Sequence, residues 1–339
     1  MDTLELLKII SPEMIEIIEK RYQILRSVSY NQPIGRRTLA NELNFKERAV
    51  RDEVDMLKSL GLLSVDIMGM YITEDGKKIL SDIDSIYYRL KGIPKLEEQL
   101  KDVLGIKKAI IAPGNLNDNR MVLKEMGKIT SRMLKSIIQP KDIIGITGGS
   151  TMAAVAKEVT FDNKPRDIMV IPARGGLGSE VETQSNSIAA KLAEKLGGSY
   201  RLLYVPDSID EETLQLMLKN KDIKETMEKM DNMNILVFGI GRADVMAKRR
   251  NMQDEKIGEL IHCGAVAESL GHYFDINGEE VLEYKTIGLP LEKFKLLDNI
   301  IGVAGGEDKA EAILAVSSLN KNMTLITDES SARKILEIV

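Results

Sequence analysis

The chain has 339 residues, too many for one ordinary hydrophobic core, and we expect two domains, one small and one large. Its formal net charge of -5 excludes a globally basic, histone-like binder, so any contact with nucleic acid must be local. The single cysteine excludes an intrachain disulfide. Because the sequence shows no cleavable signal pattern and no apolar run of bilayer-spanning length, we expect a cytoplasmic protein without membrane contact.

Three helices are predicted near the start of the chain. The first covers residues 13–30, and the apolar residues between Leu39 and Leu43 lie on one face of the second. Asn44 is predicted to begin the third helix, with Glu47 three residues later completing a capping box. Short connections between these helices predict a small helical module.

The third predicted helix has one apolar face and one polar face. Val50, Val54 and Leu57 follow helical spacing and are predicted to point inward. The side chains that this spacing turns outward are Arg48, Arg51, Asp52 and Asp55. The outward face therefore carries two arginines that are available to a partner.

A β-hairpin is predicted after Gly61, which ends the third helix. Its strands cover residues 62–65 and 70–73, on either side of a tip from Asp66 to Gly69. This order of elements is typical of a winged helix-turn-helix, whose third helix enters the DNA major groove. Between positions 34 and 51, cations outnumber acids, which favours DNA contacts by Arg36, Arg37, Lys46, Arg48 and Arg51. The alternative is a structural helical domain whose charges are merely solvated.

A fourth long helix is predicted after the hairpin, with Ile79, Ile83, Ile86 and Leu90 in near-heptad spacing. This pattern predicts a dimerisation seam, although the same residues could pack within their own domain. The run Gly92-Ile93-Pro94 then breaks the helix. We therefore expect a DNA-binding domain with its dimerisation helix in residues 1–92, and an α/β domain for effector binding and oligomerisation in residues 93–339.

Short apolar strands alternate with helices from Leu96 onward. The strands are predicted at residues 108–112, 143–146, 168–172, 200–205, 234–239, 300–305 and 324–327. Apolar runs without alternation are typical of parallel strands that are buried on both faces. The sequence therefore predicts a doubly wound, mainly parallel α/β sheet, which binds its ligands at the carboxyl ends of the strands.

The segment DIIGITGGST, residues 142–151, carries the clearest functional signal. Gly148 and Gly149 have no Cβ to keep an anion away from the backbone, and Ser150 and Thr151 add hydroxyl donors. The first amides of the following helix are unpaired and lie at its positive end. The segment predicts a phosphate-binding loop, and the alternative is a tight turn without a ligand.

Further charged and polar residues are predicted at the same edge of the sheet. They are predicted in loops at the strand ends, such as PARGGLGSEVETQSN and GAVAESLG, and are Arg174, Gln184, Arg249, Arg250, Glu268 and Lys309, with Lys309 just inside a helix. Arginine and lysine suit an anion with more than one phosphate, and a carboxylate can accept hydroxyl protons from a sugar. The alternative is that each of them is an ordinary surface or pairing group.

Two other kinds of site conflict with the sequence. The run GIGRAD has Asp244 where a dinucleotide-binding fingerprint needs its third glycine, and a carboxylate there repels pyrophosphate. Cys263, His262 and His272 are the only strong zinc ligands, and no CxxC or HExxH spacing exists. We expect no metal, no cofactor and no catalytic residue.

Taken in order, the runs IGRRTLANEL, ITGGST, PARGGLG, MAKRRN and GGEDKAEAI resemble the SorC family of sugar-responsive bacterial repressors from end to end. The effector domain of that family resembles sugar-phosphate isomerases, which implies binding without turnover. The resemblance implies that one phosphate of fructose-1,6-bisphosphate binds Gly148, Gly149, Ser150, Thr151 and Lys309. The positions implied for the rest of the ligand are Arg174, Gln184, Arg249 and Glu268. The family also implies an operon for lower glycolytic enzymes, repressed by oligomers that the bisphosphate loosens from the operator.

Three functional hypotheses remain open at this point. The leading one is a DNA-binding repressor, acting as a homodimer or homotetramer, that senses fructose-1,6-bisphosphate, dihydroxyacetone phosphate or glucose-6-phosphate. The second is a sugar-phosphate isomerase with an N-terminal appendage, for which Asp244, Glu268 and His262 are candidate bases that no motif pairs. The third is an interaction protein with a degenerate helix-turn-helix.

Overall fold

The computed structural model describes residues 3–162, 164–177, 180–206, 211–284 and 287–339. The chain divides into two compact units, Met1–Lys95 and Leu96–Val339. The boundary predicted between residues 92 and 93 lies just before this division. Within the described ranges, every helix is too short or too polar to cross a lipid bilayer.

The first unit is helical apart from one hairpin. Its elements are α1 (Thr3–Ile10), α2 (Pro12–Asn31), α3 (Arg36–Glu42), α4 (Glu47–Ser59), β1 (Leu63–Val65), β2 (Met70–Ile72) and α5 (Glu74–Leu90), with α6 (Ile93–Leu104) beginning at its end. Strands β1 and β2 pair in antiparallel register, as predicted for the hairpin. Val50, Val54 and Leu57 of α4 are buried in the core, which confirms the inward face predicted from their spacing.

The predicted start of α4 is wrong. The helix begins at Glu47, its N-cap residue is Lys46, and that residue makes no side-chain capping hydrogen bond. Asn44 instead adopts a left-handed φ of 54° in the turn between α3 and α4. Asparagine tolerates this conformation, so the residue shapes the turn and no capping box forms.

Helix α5 presents only part of the predicted seam to solvent. Ile79 and Ile86 are exposed by 43% and 41%, whereas Leu90 is buried. The buried face of α5 includes Tyr87, whose ring stacks on Tyr22 of α2 with centroids 3.8 Å apart. Leu90 is therefore no part of an exposed seam, and dimerisation through Ile79 and Ile86 stays a prediction.

The second unit is built around a parallel sheet. Its elements are β3 (Lys108–Ala112), α7 (Met121–Ile137), β4 (Ile143–Ile146), α8 (Ser150–Glu158), β5 (Met169–Pro172), α9 (Ser185–Leu196), β6 (Ser199–Tyr200), α10 (Glu211–Met217), α11 (Lys221–Asp231), β7 (Ile235–Gly239), β8 (Gly241–Arg242), α12 (Ala243–Arg249), α13 (Asp254–His262), β9 (Ala267–Ser269), β10 (His272–Phe274), β11 (Glu280–Glu283), α14 (Leu291–Leu296), β12 (Asn299–Val303), α15 (Ala310–Ser317), β13 (Met323–Asp328) and α16 (Glu329–Ile338). Short 3-10 turns cover Val181–Thr183 and Glu307–Lys309.

The large sheet confirms the doubly wound α/β prediction. Its seven strands run in the order β3-β13-β12-β7-β4-β5-β6, and its ladders are parallel. From β4 the chain continues to β5 and β6 on one side, and from β7 it continues to β12 and β13 on the other. The neighbours β4 and β7 therefore mark the topological switch point, where a crevice opens at the carboxyl ends of the strands.

Two features of this unit differ from the prediction. The strand predicted at residues 200–205 pairs only at Ser199–Tyr200, because the Asn186 side chain donates to the Leu203 carbonyl and accepts from its amide. A second, antiparallel sheet in the order β11-β10-β9-β8 was not predicted. Its strands are two to four residues long, too short for a recognisable pattern of alternation.

Candidate functional site

The predicted phosphate loop follows β4 at the switch point. A Cβ on Gly148 would lie 2.9 Å from the Thr183 carbonyl oxygen, so this position has room for glycine alone. Gly149 has a φ of 108° and is the N-cap residue of α8. Its amide donates to the Thr183 carbonyl at 2.8 Å, which holds the loop against the 3-10 turn Val181–Thr183. Helix α8 thus begins at Ser150 with its unpaired first amides directed at the crevice.

A cavity of about 530 Å³ opens at this loop. The predicted site residues that line it are Gly148, Gly149, Ser150, Thr151, Arg174, Arg249, Glu268 and Lys309. Gln184 is not among the lining residues, and its side-chain amide donates to the Leu177 carbonyl at 3.0 Å. Gly178 and Ser179 of the same predicted loop lie outside the described residues.

Glu268 lies on a strand, contrary to the loop position predicted for it. It belongs to β9, and Gly241 of β8 pairs with it in the second sheet. Strand β8 follows the end of β7 almost directly, so this pairing brings Glu268 to the carboxyl edge of the large sheet. The second sheet therefore supplies the acidic side of the cavity.

Glu268, Arg174 and Arg250 form a buried charge cluster. The Oε1 atom of Glu268 accepts from Arg174 Nη1 at 3.1 Å, from Arg250 Nη2 at 2.7 Å and from the Gly271 amide at 2.8 Å. Burial raises the pKa of Glu268, but the charges of Arg250 and Arg174 outweigh it and hold the pKa below its usual range. Glu268 is therefore a carboxylate that cannot readily take up a proton.

The fold fixes Arg250, although the sequence suggested a loop cation. Its Nη1 atom donates to the Tyr273 hydroxyl at 2.8 Å. Its guanidinium lies over the rings of Tyr273 and Tyr284, 5.6 and 5.3 Å from their centroids. These contacts and the pair with Glu268 make Arg250 a structural residue behind the cavity wall.

Lys309 and Arg249, called the cation pair below, differ from the ion-paired Arg174 and Arg250 in their contacts. Within the described ranges, neither side chain makes a hydrogen bond or ion pair. Burial lowers the pKa of Lys309, the charge of Asp308 opposes this effect, and the charge of Arg249 adds to it. Lys309 ends a 3-10 turn just before α15, slightly earlier than the helical position predicted for it. The cavity thus holds positive charge that the fold leaves unneutralised, as an anion site requires.

Arg242 also lines the cavity, and the sequence reasoning missed it. Its Nε and Nη2 atoms donate to Asp244 at 3.1 and 2.8 Å, and its Nη1 atom donates to Asp308 at 3.2 Å. Arg242 follows Gly239 and Gly241 at the carboxyl end of β7, and this position is the sequence feature that could have identified it as a site residue. Burial raises the pKa of Asp244, but the hydrogen bonds and charge of Arg242 prevail and lower it.

Asp328, at the end of β13, is another residue that the sequence did not single out. Its side chain is buried and accepts from the Gly306 amide at 3.1 Å and from the Leu116 amide at 2.8 Å. It also caps α16 through the Ser331 amide at 3.2 Å. Asp328 therefore positions the loop that carries Lys309.

The candidate bases of an isomerase do not form an acid–base pair. Glu268 and Asp244 are both held as carboxylates by arginine partners, as described above. His262 is exposed at the end of α13 and does not line the cavity. None of the three candidate bases is therefore placed in the cavity as a group that readily takes up a proton.

The predicted DNA-binding face is exposed in the first unit. Arg37, Lys46, Arg48 and Arg51 are exposed, and Arg36 is half-buried. Arg37 approaches Glu47 at 3.9 Å, a weak surface pair. Glu42 turns toward α2 and accepts from Ser27 and Asn31 at 3.0 and 2.9 Å. Of the two acids between positions 34 and 51, Glu42 is thus engaged with α2, and Glu47 remains exposed near the basic residues.

Comparisons with known families match both units. Residues 17–87 match the CggR N-terminal DNA binding domain. Residues 88–337 match the family described as "Putative sugar-binding domain". Together the two matches cover residues 17–337 without a gap.

Full-length relatives and solved structures agree with these families. The chain is 38% identical over 325 residues, 96% of each chain, to the central glycolytic genes regulator of Bacillus subtilis, and 36% identical over 326 residues to that of Priestia megaterium, covering 96% of this chain and 95% of the relative. A SorC family transcriptional regulator from Enterococcus faecalis superposes with a TM-score of 0.68 at 36% identity, covering 71% of this chain and 99% of that one. The full-length sorbitol operon regulator of Klebsiella pneumoniae has a TM-score of 0.65 at 20% identity, covering 96% of this chain and 99% of that one, and shares the fold.

Proposed function

The chain belongs to the SorC family of sugar-binding transcriptional regulators, and on that premise we propose that it represses a glycolytic operon and is released from its operator by fructose-1,6-bisphosphate. Its relatives are regulators and not enzymes, and two of them are named as regulators of central glycolytic genes. The chain is accordingly a sugar-responsive repressor. The identity of the effector, the operon and the effector-binding residues are parts of the proposal.

One observation carries the choice of a phosphorylated effector. The cavity brings the loop from Gly148 to Thr151 together with Lys309 and Arg249, whose side chains make no hydrogen bond or ion pair within the described residues. Backbone amides, hydroxyls and unneutralised cations form the donor set that phosphate oxygens prefer. We assign one phosphate of the bisphosphate to Gly148, Gly149, Ser150, Thr151 and Lys309.

The position of Glu268 favours an effector with a sugar between its two phosphates. All of its hydrogen bonds to described residues go to Oε1, so Oε2 has no donor in the part of the chain that the structure describes. A carboxylate oxygen that lines a cavity can accept from a sugar hydroxyl. We assign the remainder of the ligand to Arg174, Gln184, Arg249 and Glu268, with Gln184 reaching it after its side chain leaves Leu177.

Release from DNA requires a change that the effector favours. A ligand shifts a protein between two states only by the difference between its affinities for them. We propose that the DNA-bound state is a homodimer or homotetramer, and that the bisphosphate favours an arrangement of subunits that fits the operator less well.

A thermal-shift comparison of glycolytic phosphosugars tests the effector. A ligand at 100 times its dissociation constant stabilises the native state by about 2.7 kcal/mol. We expect the largest shift from fructose-1,6-bisphosphate, smaller shifts from dihydroxyacetone phosphate and glucose-6-phosphate, and none from free fructose. A larger shift from either monophosphate at equal concentration contradicts the proposed effector, and a shift that persists in Lys309→Ala contradicts the proposed site.

A further inference from the structure

The tip of the β1–β2 hairpin presents two apolar side chains to solvent. Ile67 is fully exposed at 104%, and its neighbour Met68 is exposed by 72%. Isolated exposed apolar residues are common on protein surfaces, but here two adjacent ones occupy the end of a projecting hairpin. The tip belongs to the DNA-binding domain, which spans residues 17–87.

The tip is held in one shape by its own hydrogen bonds. The Asp66 side chain accepts from the amides of Met68 and Gly69 at 2.8 and 3.1 Å. The Asp66 amide in turn donates to the Gly69 carbonyl at 2.9 Å. Gly69 packs so closely that a Cβ there would lie 2.9 Å from the backbone of Ile34. A rigid tip loses little conformational entropy when it docks, which favours insertion into a groove.

The tip lies beside the start of α3. Ile34 exchanges two backbone hydrogen bonds with Met70, at 2.9 and 3.3 Å. The Gln32 side chain, two residues earlier, accepts from the Ile72 amide at 2.9 Å. The segment from Gln32 to Ile34 runs antiparallel to β2 and therefore approaches the tip. Helix α3 begins two residues later, with Arg36 and Arg37. The apolar tip is therefore continuous with the basic face of the same unit.

The hairpin has no cation with which to bind a phosphate. From residue 59 to residue 76 the sequence contains no Lys or Arg, and its charged residues are Asp66, Glu74 and Asp75. A contact of this tip with DNA therefore cannot include an ion pair with phosphate, and the exposed side chains at its end offer apolar packing. In DNA complexes, apolar side chains that reach the minor groove act as wedges between base steps and partly unstack them.

We propose that Ile67, with Met68 beside it, inserts into the minor groove of the operator and partly unstacks one base step. The proposal rests on the DNA-binding function of this unit. The basic face supplies the electrostatic part of the affinity, and the tip supplies a contact that does not depend on salt. Flexible pyrimidine–purine steps are the sequences that such a wedge prefers, since they unstack most easily.

The test uses the full chain and a duplex that it enriches from a random-sequence library, measured by fluorescence anisotropy at several salt concentrations. A second copy of the duplex carries 2-aminopurine at a pyrimidine–purine step, so that unstacking raises its fluorescence. We expect Ile67→Ala to weaken binding at least about ten-fold, because it removes three side-chain carbons, each of which contributes about a four-fold factor in affinity when fully buried. The salt slope should stay unchanged, and the 2-aminopurine signal should fall.

Three variants separate the wedge from other effects. Ile67→Leu keeps the apolar bulk and should bind as wild type does, and Ile338→Ala removes an exposed isoleucine of α16 in the other unit and should also have no effect. Arg48→Ala, which changes the basic face, should weaken binding if that side chain contacts a base or lower the salt slope if it contacts a phosphate. Wild-type affinity in the double variant Ile67→Ala, Met68→Ala overturns the wedge, as does a weaker complex with a reduced salt slope. A wild-type chain that enriches no duplex overturns the DNA-binding function itself.

Discussion

Two groups of charges lie at the same cavity, on its lining or directly behind it, and differ in their ion-pair partners. In the buried charge cluster, Glu268 is paired with Arg174 and Arg250 at 3.1 and 2.7 Å. Lys309 and Arg249, on the other side, have no such partner among the described residues. Each charge of the cluster has an ion-pair partner without a ligand, whereas Lys309 and Arg249 gain one only when an anion binds. The cluster is therefore expected to contribute mainly to stability, with Glu268 Oε2 left to accept from a sugar hydroxyl, and the cation pair is expected to contribute mainly to binding.

The difference follows from where each group lies in the fold. Glu268 lies on β9 and Arg174 follows β5, and ladders hold both strands in buried positions. Arg250 follows α12 directly after Arg249, but it is buried against Glu268 and Tyr273. Lys309 and Arg249 lie at the ends of short elements that face the cavity. Burying an ion is tolerated when a partner is present, so the fold can keep an unpaired cation only where solvent or a ligand reaches it.

The largest effect is expected from removing the acid of the cluster. Glu268→Ala leaves two arginines buried without a counter-charge, and the free energy of unfolding should fall by about 3–5 kcal/mol. Glu292→Ala is the matched control, because Glu292 is an exposed partner of Lys295 and its loss should change stability by less than about 0.5 kcal/mol. Urea unfolding measures both variants. A loss below about 1 kcal/mol in Glu268→Ala contradicts the structural role of the cluster.

The same cluster predicts a dependence on pH. The pKa of Glu268 is lower in the folded chain than its ordinary value of 4.5. The unfolded chain therefore binds more protons in that range, and the stabilisation is complete above the ordinary value and lost as pH falls through the folded pKa. Relative to Glu268→Gln, wild type should be most stabilised at neutral pH and lose that advantage in acid. A difference that grows as pH falls contradicts this assignment.

The next largest effects are expected from the cation pair and the phosphate loop. Lys309→Ala should weaken bisphosphate binding by about 1.5–3 kcal/mol, since it removes a charged donor, and Thr151→Ala by about 0.5–1.5 kcal/mol, since it removes a neutral one. Lys309→Ala should leave the free energy of unfolding unchanged or raise it. Isothermal titration and urea unfolding measure the two quantities. If Lys309→Ala unfolds the chain as Glu268→Ala does, the distinction between the two groups of charges is wrong.

A smaller effect extends the comparison to the DNA-binding unit. Arg48 is exposed without an ion pair in the described structure, whereas Arg21 Nε lies 2.7 Å from Glu53 Oε2. Arg48→Ala should weaken operator binding by about 1–3 kcal/mol if it contacts a base, or lower the salt slope by about one if it contacts a phosphate. Arg21→Ala, the matched control, should leave both quantities unchanged. Equal effects of the two variants on operator binding show that the outward face of α4 does not contact the operator.

Periodic patterns made most of the fold predictable. The inward face of α4 and the apolar parallel strands could be recognised because each residue's burial follows from its own segment. The turn at Asn44 and the short strands of the second sheet could not, because φ at one residue and pairing between distant segments leave no local pattern. Pairing of Gly241 with Glu268 is the clearest case of a contact that only the folded chain defines.

The sequence predicted which residue types form the candidate site, but it did not predict which of these side chains pair with one another. Glycines before a helix and arginines near strand ends indicated a ligand site, but residue type and spacing did not distinguish Arg249 from its neighbour Arg250. Only the resemblance to the SorC family assigned Arg249, and not Arg250, to the ligand. The structure separates them, since one is buried against Glu268 and Tyr273 and the other is exposed. Arg242 was missed because its two aspartate partners lie on different segments of the chain.

Operator binding with and without fructose-1,6-bisphosphate tests the central claim most directly. In fluorescence anisotropy with the full chain, wild type should lose operator affinity as the bisphosphate is added. Lys309→Ala should bind the operator as wild type does and keep that affinity at the same bisphosphate concentrations, which makes it a repressor that cannot be induced. If Lys309→Ala is released as readily as wild type, the unpaired cations do not form the effector site, and the account is contradicted.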